Sequence, residues 1–127
     1  MPCSCLNDDP RIALDALRAA TTLRVLIDES HFIVSTRRCP LCGRCFLSIF
    51  TETIDWADGD DPQVWTCVPL ESHELDRLHA AADREPITED HLLGLSIRRR
   101  ILVRRAPKAQ PESADWAVRD LTIPPHD

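Results

Sequence analysis

Six cysteines are the residues of this chain best suited to chemistry, and two of them stand in a pattern with a clear physical purpose. Cys39-Pro40-Leu41-Cys42-Gly43 places two thiolates three positions apart, with proline between them and glycine immediately after. Such a knuckle needs a residue free to take a positive φ, which glycine supplies, and it turns backbone N–H groups toward sulfur. The chemistry implied is capture of a soft divalent ion by thiolates.

A tetrahedral ion of this kind needs four ligands. The remaining candidates are Cys3, Cys5, Cys45 and Cys67, with His73 as a weaker imidazole candidate. If residues 46–54 pair antiparallel with 64–70 around Asp58-Gly59, Cys67 falls opposite Phe50 and Cys45 opposite Ser72. At a rise of about 3.3 Å per residue, Cys67 then lies more than roughly 10 Å from the knuckle and is expected to be a buried apolar thiol. Cys3 and Cys5 sit in a polar stretch with no packing reason to be cysteine, and a Cys-x-Cys pair can wrap one ion. The expected ligand set is therefore Cys3, Cys5, Cys39 and Cys42, holding zinc. A rival is an iron–sulfur cluster on Cys39, Cys42, Cys45 and Cys67, although the nearby Cys-Pro that ends a ferredoxin run is absent.

The elements that must position these groups follow from pattern. Asp8 or Asp9 caps a helix begun by Pro10 and running to about Ala20 with an apolar stripe. Strands are expected over Leu23–Asp28, His31–Arg37, Phe46–Ile54 and Val64–Val68, the last closed by Pro69. Helices are expected from Glu74 to about Asp83 and from Thr88 toward Ile97. Ile101-Leu102-Val103, set between arginines, fits either a helix or a short strand. These elements give an α+β fold: a small antiparallel meander bearing the knuckle, packed by an N-terminal helix and two C-terminal helices. One domain is expected over 1–105, and a Pro-rich tail over 106–127 from which Trp116, Val118, Leu121 and Ile123 can dock.

The knuckle between two strands resembles the zinc-ribbon proteins, over Cys39 to Gly43 and the flanking strands only. The resemblance implies a structural zinc serving as a staple, a nucleic-acid contact or a protein-binding finger. A second Cys-x2-Cys knuckle, usual in that family, is missing here.

Composition narrows the function. At 127 residues and a formal net charge of −6, the chain is a poor general partner for nucleic acid, whose phosphates require Lys and Arg. Charge is segregated, with Glu52, Asp55, Asp58, Asp60 and Asp61 forming an acidic block. Arg98, Arg99, Arg100, Arg104 and Arg105 form a basic one, which is the surface for a nucleic-acid alternative. Trp56 and Trp65 flank the acidic turn and suit a protein interface, because tryptophan is enriched at binding hot spots. The candidate interaction surface is thus Trp56, Trp65, Asp58, Asp60, Arg98, Arg99, Arg100 and Arg104. No membrane span or signal peptide is visible, and a cytoplasmic setting favours metal-ligating over disulfide-bonded cysteines. No catalytic motif is found, and a redox dithiol at Cys39/Cys42 is disfavoured by the β-rich residues that follow it. The expectation is a non-enzymatic binding or regulatory protein whose partner is another protein.

Overall fold

Strand-forming residues dominate the middle of the chain, and in the computed structural model they build one six-stranded antiparallel sheet in sequence order. The structure describes residues 3–53, 62–95, 98–107 and 111–126. The strands are β1 (Thr21–Glu29), β2 (Phe32–Arg38), β3 (Cys45–Glu52), β4 (Gln63–Leu70), β5 (Arg99–Ala106) and β6 (Ser113–Arg119). The helices are α1 (Pro10–Arg18), α2 (Ser72–Arg84) and α3 (Glu89–Leu93), preceded by a 3-10 turn over Ser4–Leu6. An α+β fold with an antiparallel meander and three helices is therefore present, but the meander is larger than the sequence reading expected.

Two strands account for the difference. The arginine-flanked run forms strand β5, and Ile101, Leu102 and Val103 are all buried because this strand has sheet on both sides and cover on both faces. A continuous apolar run is what a strand buried on both faces requires, and over so few residues it cannot be told from helix by periodicity. The segment expected to be a tail contributes β6, whose Trp116 pairs with Leu102 of β5. Beyond it Leu121 is buried and Ile123 packs on the core. The last helix is shorter than expected, five residues ending at Leu93.

Alternation along the strands divides the core between the two faces of the sheet. On one face, Val34, Leu47, Ile49, Val68, Ile101 and Val103 pack with Leu75, Leu78 and Ala81 of α2 and Leu92 of α3. On the other, Phe46, Trp65, Cys67, Leu102 and Ala114 pack with Ala13, Leu14 and Leu17 of α1. Helix α1 begins as expected, with the Asp9 carboxylate accepting the Arg11 backbone N–H at 2.9 Å and Pro10 in the first turn.

A buried ion pair ties α2 to β5. Glu74, 3% exposed, accepts from the Arg99 guanidinium at 2.9 and 2.7 Å, and also from the Glu71 backbone N–H at 2.9 Å. Arg99 donates further to the Pro69 and Leu95 carbonyls. Pro69 lies inside β4 rather than ending it. The pairing of β5 with β4 stops at Cys67, so the missing N–H of Pro69 costs that ladder nothing.

Candidate metal centre

The six-residue link from β2 to β3, Cys39 to Arg44, forms the knuckle. The Cys39 N–H donates to the Arg44 carbonyl at 2.9 Å, and the Gly43 N–H donates to the Cys39 carbonyl at 2.9 Å. Gly43 has φ of 77°, the left-handed conformation that closes the turn. The turn aims the Cys42 and Leu41 N–H groups at the Cys39 sulfur and the Arg44 N–H at the Cys42 sulfur.

The other half of the cluster comes from the N-terminal arm. Cys5 lies on the 3-10 turn and Cys3 immediately precedes it, with the Leu6 N–H donating to the Cys3 carbonyl at 2.9 Å. The arm is held against β5 and β6 by several contacts. The Trp116 indole N–H donates to the Asn7 carbonyl at 2.8 Å, Asp8 pairs with Arg100 at 3.0 Å, and Arg100 stacks on the Trp116 ring at 4.2 Å. With α1 docked behind it, the arm brings its two sulfurs over the knuckle.

The result is a cluster of Cys3, Cys5, Cys39 and Cys42, whose sulfurs all lie within 4.8 Å of one another. Cys3 and Cys39 sulfurs are 3.6 Å apart, and those of Cys5 and Cys42 are 3.5 Å apart. An ion bound by thiolates at about 2.3 Å has a tetrahedron edge of roughly 3.8 Å, so the spacing suits one ion gripped by four sulfurs. All six cysteines are free thiols.

Electrostatics agree with that use. Burial alone raises the Cys39 thiol, but the N–H groups of Cys42 and Leu41 outweigh it and bring its pKa down to about 7. Cys5 moves the other way, raised by burial and then by the Cys42, Cys3 and Cys39 thiols. Cys42 is also raised, chiefly by desolvation. The knuckle thus eases ionisation of Cys39 while that of Cys5 and Cys42 is resisted, and a divalent cation would supply the positive charge that favours their thiolates.

The other sulfurs lie elsewhere. Cys67 pairs with Ser48 and Cys45 with Leu70, a register two residues from the one expected, but the conclusion about Cys67 stands on burial: it is 2% exposed between the sheet and α1. Cys45 turns its sulfur toward the Gly43 carbonyl at 3.7 Å, outside the cluster. Neither Cys45 nor Cys67 joins Cys39 and Cys42, so the ferredoxin-like set is not assembled. His73 is exposed at the start of α2 and also lies outside the cluster.

The candidate interaction surface is redistributed. Trp56, Asp58 and Asp60 lie outside the described residues. Trp65 is not a projecting hot spot, being 9% exposed with its indole N–H donating to Ser48 at 2.7 Å. The arginine run, which fitted either helix or strand, is largely strand β5, and this separates its charges. Arg99 binds Glu74, Arg100 covers Trp116, and Arg104 pairs with Glu112 at 2.8 Å from the face opposite Arg99. Among the described residues no helix is long and apolar enough to cross a membrane.

The chain matches no family model, no curated protein and no solved structure.

Proposed function

We propose that this chain is a non-enzymatic binding module stapled by one structural zinc ion on Cys3, Cys5, Cys39 and Cys42. The observation that carries the reading is the sulfur spacing, which suits a single tetrahedral ion and is too tight for a cluster of several metals. Four thiolates leave no open position for water or substrate, so the ion serves structure rather than catalysis. It joins two parts of the chain that are far apart in sequence and so fixes the arm on the sheet. A reducing, cytoplasmic setting suits six unpaired thiols.

The partner proposed is another protein, with the knuckle as part of the contact. Leu41 lies between the two ligands of the knuckle and is 76% exposed, an apolar tip on a turn that the ion makes rigid. Nucleic acid is the weaker alternative, because β5 scatters its arginines and several are already engaged within the chain.

Elemental analysis of untagged protein tests the metal reading: zinc at one per chain, lost when Cys3 or Cys5 becomes serine and kept when Cys45 or Cys67 does. Iron in its place, or zinc insensitive to Cys3→Ser and Cys5→Ser, overturns it. Leu41→Asp, which leaves the sulfurs in place, tests the partner surface: a cross-linked partner is lost from this variant, and its retention excludes the knuckle tip.

A further inference from the structure

Helix α1 covers only part of its face of the sheet, and the uncovered part is a cleft of about 380 Å³ with its own chemistry. Register explains its construction. Ile33, Phe50, Trp65 and Arg104 are successive cross-strand partners on β2, β3, β4 and β5, and Ser35 pairs with Ser48 in the next row on the same face. Arg37 of β2 and Arg18 from the last turn of α1 complete the lining.

Among the described residues three arginines line this cleft and no carboxylate does, in a chain whose net charge is −6. Glu112 beside it is shared among Arg11 at 3.2 Å, Arg18 at 3.0 Å and Arg104 at 2.8 Å, and Arg18 also pairs with Asp15 at 3.4 Å, so two carboxylates answer three arginines. Among the described residues no carboxylate pairs with Arg37. Its Nε reaches only the Ser35 hydroxyl, at 3.4 Å, and its guanidinium lies 5.7 Å from the Trp65 ring centre. The Arg104 Nε is buried with no hydrogen-bond partner among the described residues. Ser35 and Ser48 are each 4% exposed, and each accepts a hydrogen bond from a neighbour while keeping a hydroxyl proton to donate. A buried polar donor without an acceptor is costly, so the cleft holds unspent capacity for an anion.

The geometry points to this cleft as a binding site for a small organic carboxylate with a flat apolar body, its head on Arg37 and Arg104 and its body on Phe50, Trp65 and Ile33. The volume lies within the range of small-molecule pockets, and the mixture of apolar walls with a few convergent donors is the usual composition of such sites. Carboxylate is favoured as the head group because Arg18 and Arg104 already hold one, that of Glu112, at the cleft's edge. This assignment goes beyond the zinc reading and does not depend on the metal, since none of the lining residues is one of the clustered cysteines.

Calorimetric titration of the intact protein with 3-phenylpropanoate, 3-phenylpropan-1-ol, acetate and phenyl phosphate tests it. The expected result is saturable 1:1 binding of 3-phenylpropanoate, with the alcohol and acetate each at least tenfold weaker and phenyl phosphate no tighter. Arg37→Gln weakens binding at least tenfold, while Arg77→Gln, on exposed α2 surface, leaves it unchanged. Ile33→Glu, at a position 37% exposed, brings a competing carboxylate to the cleft and also weakens binding without requiring loss of a buried group. Absence of saturable 3-phenylpropanoate binding, equal binding of the alcohol, tighter binding of phenyl phosphate, or indifference to both folded variants overturns the assignment.

Discussion

Stripping the metal from wild-type protein has a calculable consequence if the four cysteines share one ion. Cys3 and Cys39 stand 36 positions apart, and the ion closes the loop between them. Treated as a cross-link, closure of a loop of that length removes roughly 4 kcal/mol of unfolded-state entropy at 25 °C. Part of that restraint survives chelation. Leu14 and Leu17 of α1 remain buried, and the Trp116 indole still holds the Asn7 carbonyl, so the same arm stays docked without the ion. The expected destabilisation is therefore about 2–4 kcal/mol, which for a domain of this size lowers the melting temperature by about 8–16 °C. The assay is thermal unfolding by circular dichroism in reducing buffer, with and without a strong zinc chelator. A double variant, Cys3→Ser with Cys5→Ser, supplies the control: it melts low in both conditions. A chelator shift under about 2 °C in the wild type, or an equal shift in the double variant, refutes the staple.

Three further outcomes are expected. Glu74→Gln removes the charge opposed to a mostly buried Arg99, and breaking such a pair costs about 3–5 kcal/mol, measured by urea unfolding at pH 7. The Arg99 guanidinium hydrogen-bonded to Glu74 holds its carboxyl below the ordinary range. The pair's contribution is thus complete above the ordinary carboxylate pKa and disappears as pH falls through the lowered one, so wild type and Glu74→Gln converge in stability in acid. Gly43→Ala costs about 1–2 kcal/mol from its left-handed φ alone, since nothing lies within 4 Å of an added Cβ, and the melting temperature reads the loss. Cys67→Ser leaves the metal content unchanged but destabilises the fold by about 1–3 kcal/mol, because it exchanges a buried thiol for a hydroxyl.

The local signals were legible where they rest on short-range chemistry. Asp9-Pro10 starts α1, Gly43 closes the knuckle, and the alternation of Phe32, Val34 and Thr36 places β2. The pairing of Cys3 and Cys5 with the knuckle was reached from the absence of any packing reason for those cysteines, and the structure brings the four sulfurs together. What escaped was set by tertiary context. Ile101-Leu102-Val103 is strand because β4 and β6 flank it, and β6 is strand because Leu102 offers Trp116 an apolar partner across the ladder. Prolines on both sides of residues 113–119 gave that segment the composition of a tail. The register of β3 on β4 differs by two from the one expected, and a two-residue shift keeps every side chain on its face. The arginine-lined cleft had no sequence signature, since Arg18, Arg37 and Arg104 come from three separate elements.

The most direct measurement is substitution of cobalt(II) into metal-free, reduced protein, followed by its visible absorption. Four thiolates around one ion predict intense tetrahedral ligand-field bands and strong sulfur charge-transfer absorption that saturate at one equivalent and are displaced by one equivalent of zinc. Weak octahedral bands, or the full tetrahedral spectrum persisting in the Cys3→Ser and Cys5→Ser variants, contradict a centre built by the N-terminal arm and the knuckle together.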